Sequence, residues 1–202
     1  MSSESIFIIV VSGTSGAGKS TLIRGAVEKL PNAEALYFDD FASLGNDVQE
    51  IQHWVDNGAD PNWIKTPKLA EHLKNIRENA NSDKNGPRLV VILEEPFGSS
   101  RDEIRPHVDM AVHLHLEPDI ALGRRLLRAV QIHQTSDQKP DDQILIKSLH
   151  GQLTAFLTIG RAAYSSAEQN AKTHAELILD GNGTIDALVE QLVDAIKIKK
   201  ME

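Results

Sequence analysis

The sequence predicts an α/β fold in which a parallel sheet is covered by helices on both faces. Three observations carry this expectation. Ile6 to Val11 is an unbroken β-branched and aromatic run, the pattern of a strand buried on both faces. A glycine-rich turn follows it and opens a helix-spaced segment, Lys19 to Leu30. Further apolar runs then alternate with helical patterns along the chain, as βαβ units require.

The elements follow in order. Ile6 to Val11 is the expected centre of the sheet. In the next segment Leu22, Ile23, Ala26, Val27 and Leu30 share one helical face, and Pro31-Asn32 stops the helix. Ala35 to Phe38 is a short second strand. Arg88 to Leu93 is a third, preceded by a turn over Asn81 to Pro87. Met110 to Leu116 is the fourth. Pro118 to Val130 forms a helix with proline at its start, where a missing N–H costs little. From Val130 to Ala175 the pattern is mostly helical, broken by the polar stretch Gln134 to Asp142, which is expected to be a mobile loop. Glu176 to Leu179 is the fifth strand. Thr184 to Lys199 is a final amphipathic helix with Ile185, Leu188, Val189, Leu192, Val193 and Ile196 on one side.

Size and composition narrow the function classes. The 202 residues suit a single domain, 1–202, and include 41% hydrophobic and 25% charged residues. Net charge is −8, without clustered basic stretches, which argues against sequence-independent nucleic-acid binding. Aromatic residues make up only 4%, too few to favour a base-stacking platform. The absence of cysteine excludes disulfides, thiolate metal sites and cysteine nucleophiles. The longest N-terminal apolar run is far shorter than the ~20 residues of a spanning helix, and no basic segment precedes it, so no membrane association and a cytoplasmic location are expected.

The chemistry begins at Gly13-Thr14-Ser15-Gly16-Ala17-Gly18-Lys19-Ser20, which fits G-x-x-x-x-G-K-[ST] and stands between a buried strand and a helix. Glycines let the loop curl so that successive N–H groups point inward, and the helix adds its positive end. The loop, with Thr21 beside it, is therefore expected to cradle the phosphates of a nucleoside triphosphate. Lys19 would reach the β- and γ-phosphates, and Ser20 would offer its hydroxyl to Mg²⁺.

Other residues must decide the fate of the γ-phosphate. Asp39 and Asp40 follow the second strand, at the carboxyl edge where ligands of parallel sheets collect. Read as an extended segment, they point opposite ways, so only one faces the site. Glu94 and Glu95 end the third strand, where an acid can stand near a metal or substrate; the competing reading pairs them with Arg101 or Arg105. Arg124, Arg125 and Arg128 lie on the helix after the fourth strand, with Arg124 and Arg128 on one face, as suits a lid over roughly 124–150 that clamps phosphate oxygens. His113 and His115 share a face of the fourth strand. No third ligand stands at a sensible spacing, so they are read as packing against a helix rather than as a metal site. Asp60-Pro61-Asn62-Trp63 is a candidate substrate wall, although packing is the commoner use of Trp54 and Trp63.

These motifs resemble the uridine kinase and phosphoribulokinase group of P-loop kinases, through most of the chain and including a bacterial uridine kinase-like branch. Its Walker loop is similar to Gly13 to Ser20, its D-x-F segment to Asp39-Asp40-Phe41, and its acid after the third strand to Glu94. Its R-R-x-x-R lid signature is similar to Arg124-Arg125-Leu126-Leu127-Arg128. The resemblance implies a three-layer αβα P-loop fold with a five-stranded parallel sheet and a helical lid. It also implies ATP and Mg²⁺ as cofactors, Asp39 as base or metal-associated acid, and Ser20 and Glu94 near the metal. Lys19, Arg124 and Arg128 would serve catalysis. Asp40, Asp60, Trp63 and Glu94 would line the acceptor. Ala42 in place of the tyrosine of D-x-F-Y, and Ala129 in place of the lid aspartate, remove the basis for uridine or cytidine specificity. The expectation is an ATP-dependent kinase acting on a hydroxyl of a nucleoside-like or sugar-like metabolite, as a monomer or homodimer. The alternative is a nucleotide-dependent switch or regulatory ATPase without a small-molecule acceptor.

Overall fold

The computed structural model describes residues 6–42, 48–82, 89–136 and 141–201. Five strands, β1 (Ile6–Ser12), β2 (Ala33–Tyr37), β3 (Leu89–Glu94), β4 (Met110–His115) and β5 (Leu177–Asp180), form one sheet. Their order is β2-β3-β1-β4-β5 and every pairing is parallel. The helices are α1 (Lys19–Lys29), α2 (Val48–Asp56), α3 (Pro67–Ser82), α4 (Pro118–Thr135), α5 (Asp142–Ala155), α6 (Arg161–Thr173) and α7 (Ile185–Lys199). Parallel neighbours need crossover connections, and helices supply them.

β1 is central, and all seven of its residues are buried. Its alternating side chains sort the core into two layers. Phe7, Ile9 and Val11 pack with Leu22, Ile23 and Ala26 of α1 and with Leu188, Leu192 and Ile196 of α7. Ile6, Ile8 and Val10 pack with Leu69 and Leu73 of α3 and with Ile104. Burying each such aliphatic side chain is worth roughly 1.5–3 kcal/mol, so this continuous run anchors both layers. The result is a three-layer αβα architecture with a five-stranded parallel sheet. No helix among the described residues is long and apolar enough to cross a membrane.

Several boundaries differ from the sequence expectation. The second strand starts earlier, at Ala33, and Phe38 already belongs to a 3₁₀ turn, Phe38–Asp40. Asn81 and Ser82 close α3 instead of opening a turn, and the remainder of that expected turn lies outside the described residues. α4 continues to Thr135, so Gln134 and Thr135 are helical. Asp141 then caps α5 by accepting from the Gln143 N–H at 2.9 Å, and residues 137–140 lie outside the described residues. Between α5 and α6 the chain passes without a break through a π-helical turn, Phe156–Gly160.

Candidate active site

The order of the strands places the carboxyl end of β1 between those of β3 and β4, a position from which a loop can draw on residues from both sides of the sheet. The glycine-rich loop occupies it. Gly13 has φ +148° and its Cα faces the Leu114 carbonyl, so closely that an added Cβ would lie 2.4 Å from that oxygen. Gly16, at φ +96°, presses in the same way on the Ala121 carbonyl. These two contacts seat the loop against the end of β4 and the start of α4. Gly18, at φ +104°, begins α1, and no acidic side chain occupies the first turn of that helix. The N–H groups of Gly18, Lys19 and Ser20, which have no acceptor within the helix, therefore remain beside the loop with the positive end of the helix dipole.

Lys19 is 7% exposed, unusually buried for a lysine. Its Nζ donates to the Thr14 carbonyl at 3.4 Å and lies 3.3 Å from Glu94 Oε1. Glu94 Oε2 accepts from Ser20 Oγ at 2.8 Å. One carboxylate at the end of β3 thus holds the lysine and the hydroxyl of the loop. Thr14 Oγ1 is buried and makes no hydrogen bond. A loop with an unpartnered buried hydroxyl, the free N–H groups of a helix start and an ammonium fits a polyphosphate, and the Ser20 and Glu94 oxygens fit a hard divalent cation.

The two glutamates have separate roles. Glu95 is fully buried and its Oε2 accepts from Arg101 at 2.7 Å, which is the paired reading of this acid. Burial pushes its carboxyl above the ordinary carboxylate range, against the opposing pull of Arg101. Arg101 is itself fully buried and also donates to the Ile64 carbonyl at 2.7 Å and to Glu103 at 2.8 Å. Glu103 in turn accepts from the Thr66 N–H at 2.7 Å. This network ties the end of β3 to the segment between α2 and α3, and the complete burial of Glu95 and Arg101 had no signal in the sequence.

Asp39 and Asp40 are both exposed. They stand in the 3₁₀ turn Phe38–Asp40 and not on an extended segment, so the expected opposite orientation of neighbouring strand residues does not apply. Asp60 caps the turn Pro61–Trp63, accepting from the Asn62 N–H at 2.9 Å. Trp54 is buried and donates to the Asp60 carbonyl at 2.8 Å, while Trp63 is 51% exposed and stacks near His53. Of the arginines, Arg124 reaches the loop: its guanidinium donates to the Gly181 carbonyl at 3.1 Å through both terminal nitrogens and to the Ala17 carbonyl at 3.5 Å. Arg125 donates to Tyr164 Oη at 2.7 Å and lies over its ring. Arg128 is exposed.

His113 and His115 face a helix, α6, and that helix also brings Glu168, 53 positions beyond His115, beside them. Donor atoms of His113, His115 and Glu168 all lie within 4.8 Å of one another.

Comparison with known proteins follows the same lines. No family model matches the chain. It is 22% identical over 208 residues to the uridine kinase of Ligilactobacillus salivarius (strain UCC118), covering 94% of this chain and 92% of that protein. It is 24% identical over 206 residues to the uridine kinase of Borreliella burgdorferi (strain ZS7), covering 94% of each. Among solved structures, an unliganded sugar kinase from Janibacter sp. HTCC2649 superposes with a TM-score of 0.50 at 18% identity, over 96% of this chain and 95% of that one. The fold is that of the P-loop NTPases. In this P-loop fold the loop, Lys19, Ser20 and Glu94 form one contiguous group, with Arg124 docked at its side.

Proposed function

We propose that the protein is an ATP-dependent phosphotransferase acting on a hydroxyl of a nucleoside-like or sugar-like small molecule. The observation that carries this reading is the convergence of Lys19 and Ser20 on the single carboxylate of Glu94 at the opening of α1. The full-length similarity to uridine kinases supports the same class of activity and leaves the acceptor to be found by experiment.

In this mechanism the chain works by positioning and charge neutralisation. Inward N–H groups and Lys19 hold the triphosphate. Mg²⁺, when bound between Ser20 and Glu94, supplies further charge neutralisation at the phosphate oxygens. Glu94 lies 3.3 Å from the Lys19 ammonium, and phosphate oxygens would give that buried charge a further partner. Asp39, at the carboxyl edge of the sheet, orients the acceptor hydroxyl and takes its proton. Asp40, Asp60 and Trp63 border the acceptor. The region over 124–150 serves as the lid, with Arg124 and Arg128 closing on the phosphoryl group and excluding water. Residues 1–202 act as one kinase domain.

The test is Mg²⁺-dependent ADP release across nucleosides, ribosides, pantothenate and sugar phosphates. Stimulation by one acceptor class supports a kinase. Release that ignores every acceptor but changes partner binding with nucleotide state supports a switch instead.

A further inference from the structure

Beside the glycine-rich loop, on the face of the sheet covered by α6, lies a group of side chains that phosphoryl transfer does not employ. Its centre is His113, completely buried on β4. Ser12 Oγ lies 3.1 Å from the Val112 carbonyl and 3.0 Å from His113 Nδ1. A hydroxyl has one proton to donate, and the carbonyl can only accept it. Ser12 therefore accepts from Nδ1–H, and the lone pair of the neutral ring sits on Nε2. That nitrogen is buried and makes no hydrogen bond. It faces Glu168 Oε1 at 3.6 Å, so a lone pair confronts a carboxylate. Burial pushes the imidazole below its ordinary value, against the pull of Glu168, and Lys172 and His115 add to the depression.

His115, two residues along the same strand, brings Nδ1 to 2.6 Å from the same oxygen. Its Nε2 lies 3.4 Å from Glu117 Oε1. Each histidine therefore has its other nitrogen beside an oxygen acceptor, Ser12 Oγ for one and Glu117 for the other. That is the outer arrangement that fixes tautomer and ring direction in metal-ligating histidines. Lys172 Nζ, 3.1 Å from His115 Nδ1 and 3.6 Å from Glu168 Oε1, holds a positive charge at the mouth of the group. Its side chain is 36% exposed. Glu168 and Lys172 also border a groove of about 1090 Å³ walled by Pro118, Phe156 and Arg161.

We infer that His113 Nε2, His115 Nδ1 and Glu168 form a binding site for one divalent transition-metal cation of the zinc class, with a remaining position open toward this groove. Neighbouring ligand atoms of a tetrahedral zinc site stand roughly 3.3 Å apart. The 3.6 Å pair already matches, and the 2.6 Å pair opens as the cation replaces the proton between its members. Two imidazoles and one carboxylate select such a metal over Mg²⁺, which prefers oxygen ligands. The site uses none of the residues proposed for phosphotransfer, and it approaches the loop only through Ser12, the last residue of β1.

The experiment is titration of the chelator-treated full chain with Zn²⁺ by calorimetry, and with Co²⁺ by visible absorption, in excess Mg²⁺. One equivalent is expected, with the ligand-field bands of a four- or five-coordinate Co²⁺. His115→Ala and Glu168→Gln each weaken binding by more than about tenfold, while ATP affinity and the melting temperature without metal report that the variants fold. Lys172→Met, which removes the competing ammonium, retains the metal and binds it more tightly. The inference is overturned by failure to take up one equivalent, by uptake that survives both ligand substitutions, or by loss of the metal in Lys172→Met.

Discussion

Ser20 and Glu94, 74 positions apart in the chain, meet through a 2.8 Å hydrogen bond from hydroxyl to carboxylate. The same carboxylate lies 3.3 Å from Lys19, so the end of β3 sets the position of the first two residues of α1. Glu94→Gln keeps an acceptor for Ser20 and removes the charge that faces Lys19. Turnover is expected to fall on the order of 10²-fold, as for removal of one preorganised electrostatic group, with the fold unchanged by circular dichroism. Steady-state kinetics at saturating Mg²⁺ and ATP check this; full turnover in Glu94→Gln would remove the acid from the site.

Asp39 stands exposed on the turn after β2 and makes no large contribution to packing. Asp39→Asn is expected to lower kcat by roughly 10²–10⁴-fold, the range of a general base, while the ATP dissociation constant hardly moves. Nucleotide titration beside a rate measurement separates the two effects. A loss confined to ATP affinity would assign Asp39 to nucleotide binding.

Glu95 and Arg101 are both fully buried and joined at 2.7 Å. Arg101→Met leaves the Glu95 carboxylate without its cation and should cost about 3–5 kcal/mol of stability in urea unfolding. The double variant Glu95→Gln with Arg101→Met should recover part of that loss, because no buried charge then remains unpaired. Equal losses in single and double variants would show that the arginine acts through its bonds to Ile64 and Glu103 instead.

Gly16 combines φ +96° with the close approach of the Ala121 carbonyl and the Arg125 side chain. Gly16→Val forces a side chain into that contact and a left-handed backbone on a β-branched residue. Destabilisation of about 1–3 kcal/mol is expected, together with loss of ATP binding, since the loop must lift from α4. A variant with normal calorimetric ATP affinity would contradict this reading of the loop.

β1 and β3 were readable because each is an apolar run, and β1 is apolar on both faces because both faces are covered. The end of α4 was not readable. Gln131, His133, Gln134 and Thr135 lie on a helix exposed on most sides, where no periodicity distinguishes helix from loop. Asp39 and Asp40 stand after the second strand, but the 3₁₀ turn that carries them leaves no pattern in three residues. The glycine-rich motif marked the position of Lys19 and Ser20, and the end of the third apolar run marked Glu94. Glu168 escaped notice because a third ligand 53 residues from His115 meets it only through the packing of α6 on β4. Arg124 was legible as a cation of the helix after the fourth strand. Its actual partners, the Ala17 and Gly181 carbonyls, are backbone atoms that no residue pattern identifies.

The most direct measurement is ADP release by the wild-type chain with Mg²⁺ and a panel of hydroxyl acceptors, set against Lys19→Ala as the blank. Stimulation by one nucleoside-like or sugar-like class, abolished in Lys19→Ala, is the predicted result. ATP turnover that no acceptor stimulates, or that Lys19→Ala retains, would contradict the assignment of this site to phosphoryl transfer.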